Sequence, residues 1–444
     1  MQIILLSGGS GKRLWPLSND IRSKQFIKIF KTSDDKYESM LQRTLSQIFK
    51  VSNAPITIAT SKLQETLLKN YVKTNVELST EPCRRNTFPS IALAAAFLHD
   101  LKNIDEDEPV VVCPIDLYVE DDFFVKLKQL VNLLSTDTNL ALIGINPTYP
   151  SAKYGYIMTS THTKNEDVSY VTSFKEKPDE ETAKKYIEDG ALWNSGVFAF
   201  KLGYVLDKAK ELLGYRLHSE LLSNYNSLFN ISFDYAIVER EKNIKVLSYN
   251  GEWKDVGTWN TLTEVMETNC IGKVQTDETC NNLHVINETD VPIVCMGLKD
   301  VVVAASPEGI LVSDKQRSSY IKPFVENIHQ QIRFAEKSWG SFKVIDIDNN
   351  SLTIKITLDA KSKMHYHSHK YRREIWNVVE GFGQVVLDGI EKSVKAGDII
   401  EIPIDCKHTI IADTIMKIIE IQIGKDIDVE DKSIFELDFA TINH

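Results

Sequence analysis

The pattern of apolar and polar positions divides the chain into parts of different character. Over residues 1–265, short apolar runs rich in β-branched residues ("QIILLS", "PITIAT", "PVVVCPID", "LALIGI", "GVFAF") alternate with longer stretches such as "SMLQRTLSQIF" and "FPSIALAAAFLHDL". In the longer stretches the apolar residues recur at helical spacing, whereas the short runs have strand length and turn signals at their ends. Alternating strands and helices predict an α/β domain built on a Rossmann-like, mixed but mostly parallel sheet. Residues 266–330 hold short strands with no convincing helix between them, which predicts a small β module or connector. Over residues 331–444 strands follow at short, regular intervals, the mark of an all-β barrel or sandwich. No internal repeat or low-complexity segment interrupts this order.

Composition narrows the classes of function. With 444 residues, 43% of them hydrophobic and 25% charged, the chain has the make-up of a globular protein of two or three domains. A formal net charge of −11 argues against nucleic acid as a partner, so any phosphate site must be a local cluster of cations. The six cysteines are scattered, with no CxxC pair, which fits reduced thiols. No apolar run approaches the roughly 20 residues of a membrane-spanning helix, and the chain opens on the strand-like "MQIILLSGG". The expectation is a cytoplasmic protein without a membrane partner. A homo-oligomer stays open.

The first strand runs into "SGGSGKRLWPLS". Gly8, Gly9 and Gly11 can adopt the backbone angles of a turn that wraps a phosphate, and Lys12, Arg13 and Lys24 add positive charge nearby. The spacing is neither that of a Walker loop nor that of GxGxxG. Asp116 ends the apolar run "VVVCPID", where a strand of such a sheet presents its carboxyl edge; a helix N-cap is the bland alternative. Asp255 lies in "WKDVGTW", between aromatic residues and a glycine.

"GGSGKRLWPLS" followed by "KQF" resembles the signature of sugar-1-phosphate nucleotidyltransferases, in the variant of the mannose-1-phosphate guanylyltransferases. The likeness continues in the family's order through "EPCRRNTFPSIALAAA", "CPIDLYVED", "PTYPSAKYGYI", "FKEKP", "LWNSGVFAF", "FDYAIVE" and "WKDVGTW", essentially all of residues 1–265. The resemblance implies transfer of a guanylyl group from GTP to α-D-mannose 1-phosphate, giving GDP-mannose and pyrophosphate. Transfer to another hexose or heptose 1-phosphate is the alternative. It implies a nucleotide site of Gly8, Gly9, Ser10, Gly11, Lys12, Arg13, Arg85, Asn86 and Thr87, and a sugar-phosphate site of Gly155, Glu176, Lys177 and Asn194. It further implies that Arg13, Lys24, Asp116, Lys177 and Asp255 are catalytic, with Asp116 and Asp255 sharing one Mg²⁺. Two anions must meet in such a reaction, so cations and metal-binding carboxylates are what the chemistry requires. The chain departs from the family pattern at Ser23 (usually Pro), Arg84 (usually Gly) and Leu117 (usually His).

The second site candidate is "MHYHSHKYRREIW". On a strand, His365, His367 and His369 would all face one way. A hydrogen-bonded surface ladder is one explanation and metal ligation the other. Glu374, Gly381, Gly397, Pro403 and His408 follow in order, and the set resembles the two-part metal pattern of cupin barrels. That resemblance implies His367, His369, Glu374 and His408 as ligands of Zn²⁺ or another transition metal, with His365 as an extra group and Asp405 in place of a usual glycine. "KSWGSF" and "MKIIEIQIG" on either side resemble the C-terminal domain of type II phosphomannose isomerases, which implies mannose 6-phosphate as a second substrate. Arg372 or Arg373 would then hold its phosphate. Ile375 stands where the family has a histidine after the ligand glutamate, so a structural or regulatory cupin is the competing expectation.

Overall fold

The computed structural model describes the chain except residues 10, 20, 73–75, 161–166, 329–331, 426, 428–430 and 437–444. It forms two compact units, one of residues 1–11 with 23–268 and one of residues 12–22 with 269–444.

The first unit is built on a nine-stranded sheet. The strands Gln2–Ser7, Ile56–Ser61, Val76–Glu81 and Pro109–Pro114 pair in parallel, while Leu192–Lys201 runs antiparallel between Pro109–Pro114 and Leu140–Ile145. Both faces of the central strands are covered, which is why Gln2–Ser7, Pro109–Pro114 and Leu140–Ile145 read as apolar runs rather than alternating ones, whereas the edge strand Val76–Glu81 is mostly polar. Ile4, Val110 and Val112 face the helices Thr87–Lys102 and Leu202–Leu213, whereas Ile3, Leu5 and Val111 face Met40–Val51 and Asp121–Val131. Local signals set the helix starts. Ser39 and Gln42 form a capping box at Met40, and Asp179 accepts from the Thr182 N–H ahead of Glu180–Glu188.

In the second unit, the short strands Cys270–Ile271, His284–Asn287 and Val301–Ser306 stack in parallel without intervening helices, closed by the antiparallel strand Gly309–Asp314. Leu283, Val285, Cys295 and Val303 fill the small core between these coils. Residues 334–434 then form two sheets of six and five strands around a core containing Trp339, Leu358, Trp376 and Ile418. All six cysteines are free. Among the described residues no helix is long and apolar enough to cross a membrane.

Candidate active site and candidate metal centre

In the first unit the two aspartates expected to share a cation are brought together by a small antiparallel ladder. Trp253–Asp255 pairs with Leu117–Val119, with Asp255 opposite Leu117, so Asp255 lies one residue out of register from Asp116. Lys24 forms an ion pair with Asp116, and its Nζ is 3.9 Å from Asp255 Oδ1. The Gly257 N–H donates to Asp255 Oδ1 at 3.0 Å and holds that carboxylate in place. Two carboxylates converge on one cation, and an all-oxygen donor set of this kind suits Mg²⁺.

The glycine turn lies close by in sequence but is divided by the fold. Gly8, Gly9 and Gly11 belong to the first unit, while Lys12 and Arg13 belong to the second; Ser10 lies outside the described residues. Gln25 donates to Ser7 Oγ at 2.9 Å and to Gln64 Oε1 at 3.2 Å, and Arg84 Nη2 reaches the Gly9 carbonyl at 3.4 Å. Arg84, a departure from the family pattern, therefore touches the turn, whereas Arg85 donates to the Tyr225 and Asn226 carbonyls. The side chains of Asn86 and Thr87 serve local structure. Asn86 caps the helix Thr87–Lys102, and Thr87 Oγ1 accepts from the Phe233 N–H at 2.8 Å.

The expected sugar-phosphate residues gather around one further carboxylate. Lys177 is ion-paired with the buried Glu176 side chain, and Asn194 Nδ2 donates to Asp234 Oδ1 at 2.7 Å. Burial, reinforced by the charge of Glu176, pushes the Asp234 carboxyl up to about 6. Asp234 was not among the expected residues, although it stands in the matched stretch "FDYAIVE"; a short apolar run of that kind does not show that Asp234–Val238 folds as a π-helix turn. A Cβ at Gly155 would lie 2.5 Å from Glu176 Oε2 and 2.7 Å from Phe174 Cζ, so the glycine leaves room for the side chains around it, Glu176 of the expected sugar-phosphate site among them.

In the second unit the histidines converge. His367 and His408 are direct partners on neighbouring strands, and the side-chain nitrogens of His367, His369 and His408 lie within 4.8 Å of one another. Arg372, Glu374, Trp376 and Val378 alternate inward along the strand Arg372–Glu380, so Glu374 enters the same space. His369 Nε2 is 3.0 Å from Glu374 Oε1 and His408 Nε2 is 3.3 Å from Glu374 Oε2. His365 departs from expectation. Residues 361–366 do not continue a strand, so His365 is exposed, and only its backbone carbonyl reaches His367 Nδ1, at 2.6 Å.

The tautomers follow from these bonds. His408 Nδ1 lies 3.0 Å from the Cys406 carbonyl and His369 Nδ1 faces the Asp431 carbonyl, so all three rings place Nδ1–H on a backbone oxygen. Each Nε2 keeps its lone pair, and buried His408 Nε2 has no hydrogen-bond donor. Lone pairs facing the Glu374 carboxylate at such distances repel; Arg372, 3.2 Å from His369 Nε2 and 3.1 Å from Glu374 Oε1, offsets this on the His369 side, and a bound cation would offset it at His408. Burial, together with nearby Lys432, pushes His367 down to about 2, keeping it neutral as a ligand must be. The residues fit a transition-metal ion, and three imidazoles with one carboxylate do not select among Zn²⁺, Mn²⁺, Fe²⁺, Co²⁺ and Ni²⁺. Asp405 supports the geometry at a local cost: it takes the left-handed φ of 63° that a glycine meets more easily, and its N–H donates to the His369 carbonyl at 2.8 Å.

His367 and His369 line a cavity of about 320 Å³ together with Trp339, Phe342, Arg372, Glu420 and Lys432. Arg372 is buried beside Glu374, whereas Arg373 is exposed. Ile375 alternates away from Glu374 and is absent from the cavity wall, so a histidine at that position would not have entered the cavity either. Burial, with the charge of Glu374 added, raises Glu420 to about 8, and burial lowers Lys432 to about 8. Glu420 comes from the strand Met416–Gly424, the matched stretch "MKIIEIQIG", and Lys432 from the segment after it; neither was among the expected site residues.

Residues 2–270 match the family model described as nucleotidyl transferase. The chain belongs to the nucleotidyl transferase family. It is a nucleotidyltransferase in which residues 325–437 match a second model, mannose-6-phosphate isomerase C-terminal. The same arrangement spans relatives along nearly their whole length. A mannose-1-phosphate guanylyltransferase of Salmonella montevideo is 28% identical over 91% of this chain and 92% of its own. The alginate biosynthesis protein AlgA of Pseudomonas aeruginosa is 29% identical over 96% of this chain and 95% of its own. A crystal structure from Thermus thermophilus, described as a mannose-1-phosphate geranyltransferase, superposes with a TM-score of 0.63 and 26% identity, covering 73% of this chain and 98% of that one.

Proposed function

We propose that the chain transfers a guanylyl group from GTP to α-D-mannose 1-phosphate, releasing pyrophosphate and GDP-mannose, as a cytoplasmic biosynthetic enzyme. The observation that carries this reading is the convergence of Asp116 and Asp255 on Lys24, in a family whose relatives include mannose-1-phosphate guanylyltransferases. We assign transfer to residues 1–265, with residues 266–330 as the β module and 331–444 as the cupin. Mg²⁺ bound by Asp116 and Asp255 would neutralise phosphate charge. Lys24 orients both carboxylates, Lys177 offsets the charge of the sugar phosphate, and Glu176 and Asn194 accept and donate to its hydroxyls. Gly8, Gly9, Ser10, Gly11, Lys12 and Arg13 hold the triphosphate, with Arg85, Asn86 and Thr87 beside the nucleotide. The test is to incubate the purified chain with four nucleoside triphosphates and several sugar 1-phosphates and to measure released pyrophosphate. A higher kcat/KM with ATP, CTP or UTP, or with another sugar 1-phosphate, would replace this reading.

The cupin supports a second activity, mannose-6-phosphate isomerisation, on the cavity rather than on the motif. Isomerisation needs a group that moves a proton between neighbouring carbons and a cation that stabilises the enediolate. A metal at His367, His369, Glu374 and His408 would supply the second. Glu420, protonated near neutrality, and Lys432, close to its transition there, are placed to carry the proton. Fructose 6-phosphate formation from mannose 6-phosphate checks it; a metal-loaded protein that forms none has a structural cupin.

A further inference from the structure

Between its glycine turn and the "KQF" stretch, the chain leaves the first unit. Residues 12–22 pack with the second unit, and the chain rejoins the first at Ser23. Several contacts hold this excursion. Ser306 Oγ donates to the Pro16 carbonyl at 2.6 Å, and Asn19 Nδ2 donates to Glu308 Oε1 at 3.2 Å. Trp15 packs where a Cβ on Gly309 would stand, and Gly309 has a φ of +154°. The strongest contact is the last. Arg22 Nη1 and Nη2 donate to Glu288 Oε2 and Oε1 at 2.6 and 2.9 Å, a two-bond fork with the Arg22 side chain only 8% exposed.

We infer that Glu288 is a positioning residue for nucleotidyl transfer, acting through Arg22 on the loop that carries Lys12, Arg13 and Lys24. This inference rests on the transferase reading above. Paired guanidinium–carboxylate bonds fix orientation as well as distance, which a single contact does not. Arg22 stands two residues before Lys24, whose ammonium meets Asp116 and approaches Asp255. At nearly full extension two residues reach only about 7 Å, so a displaced Arg22 displaces Lys24. Transfer by positioning and charge loses rate steeply with small misplacements of the groups involved. Glu288 lies in the turn after the strand His284–Asn287 of the β module, and the inference gives that module a role in transfer beyond connecting two domains.

The test uses the full-length protein and steady-state pyrophosphate release. Glu288→Gln keeps the shape but removes the charge, and should lower kcat/KM for GTP about tenfold, with KM for mannose 1-phosphate within about twofold of wild type. The melting temperature should stay within a few degrees. Because Glu288 acts through Arg22, adding Glu288→Gln to an Arg22→Met background should cost little more than Arg22→Met alone. Unchanged kinetics in Glu288→Gln overturn the inference while leaving the transferase reading intact. The same result follows from a loss that persists undiminished in the Arg22→Met background, or from one explained by a large fall in melting temperature. Wild-type protein that releases no pyrophosphate with any of the four nucleoside triphosphates overturns the transferase reading and this inference with it.

Discussion

The two metal-capable centres of this molecule are organised in opposite ways. In the first unit, Asp116 and Asp255 are 24% and 39% exposed and share a lysine. In the second, Glu374 is 2% exposed and His408 fully buried, and each imidazole is oriented by a backbone carbonyl. A half-buried pair of carboxylates sharing an ammonium suits a hard ion that arrives with, and leaves with, phosphates. A buried set of neutral nitrogens, pre-oriented before any ion binds, suits a resident transition metal. The difference teaches that burial and donor type alone would suffice to keep a transient ion at one centre and a resident one at the other.

That contrast can be broken by experiment. The largest effect is expected at the half-buried aspartate pair. Asp116→Asn or Asp255→Asn should lower kcat for pyrophosphate release by at least ~100-fold, the scale of losing a group that stabilises transition-state charge. The transition-metal content should be unaffected. Near-normal turnover in either variant would remove that residue from the transferase centre.

The next effect belongs to the buried set. Elemental analysis should find about one transition-metal ion per wild-type chain, and His367→Ala should reduce this about tenfold or more while transfer stays within about twofold. Stripping the metal should lower the melting temperature, and adding it back should restore it, because a ligand of the native state stabilises that state by mass action. A metal-free barrel in a protein purified without chelator contradicts the ligand assignment.

A smaller change is expected for Lys177→Met. It should raise KM for the sugar 1-phosphate about tenfold, on the scale of a charge-assisted contact, with KM for GTP little changed. A rise in KM for GTP instead would move Lys177 to the nucleotide.

The smallest test concerns pH. Asp234 titrates at about 6 in the folded chain, against 3.8 for an ordinary aspartate. Between those values the folded state holds more protons than the unfolded one, so the aspartate subtracts stability as pH rises through that window, and the loss stays constant above it. Asp234→Asn should therefore narrow the difference in melting temperature between pH 5 and pH 8. An unchanged difference would show that Asp234 ionises normally.

Much of the fold was legible because burial leaves periodic traces. Strands covered on both faces must be apolar throughout, so "LALIGI" reads directly as the strand Leu140–Ile145. In the barrel, one wet face leaves alternation, and Arg372, Glu374 and Trp376 appear at every second position of their strand. What periodicity leaves out is direction and partner. The strand "GVFAF" looks like its neighbours in sequence, yet it runs antiparallel to two of them. Likewise, three histidines at alternate positions implied one face, but the strand begins only at His367, and His365, before it, is exposed.

By itself, then, the sequence determined the order of elements, the family motifs, and the types of side chain that each chemistry requires. These are local properties, set by residues a few positions apart. Only the tertiary structure decided which of those residues meet. Asp255 reaches Asp116 through a two-stranded ladder 139 positions along the chain. His408 reaches His367 through a cross-strand pair, Gly155 makes room for Glu176, and Arg22 finds Glu288. Such meetings depend on strand order, register and chain reversal, which are set by the packing of the whole unit and leave no periodic trace in the residues that take part.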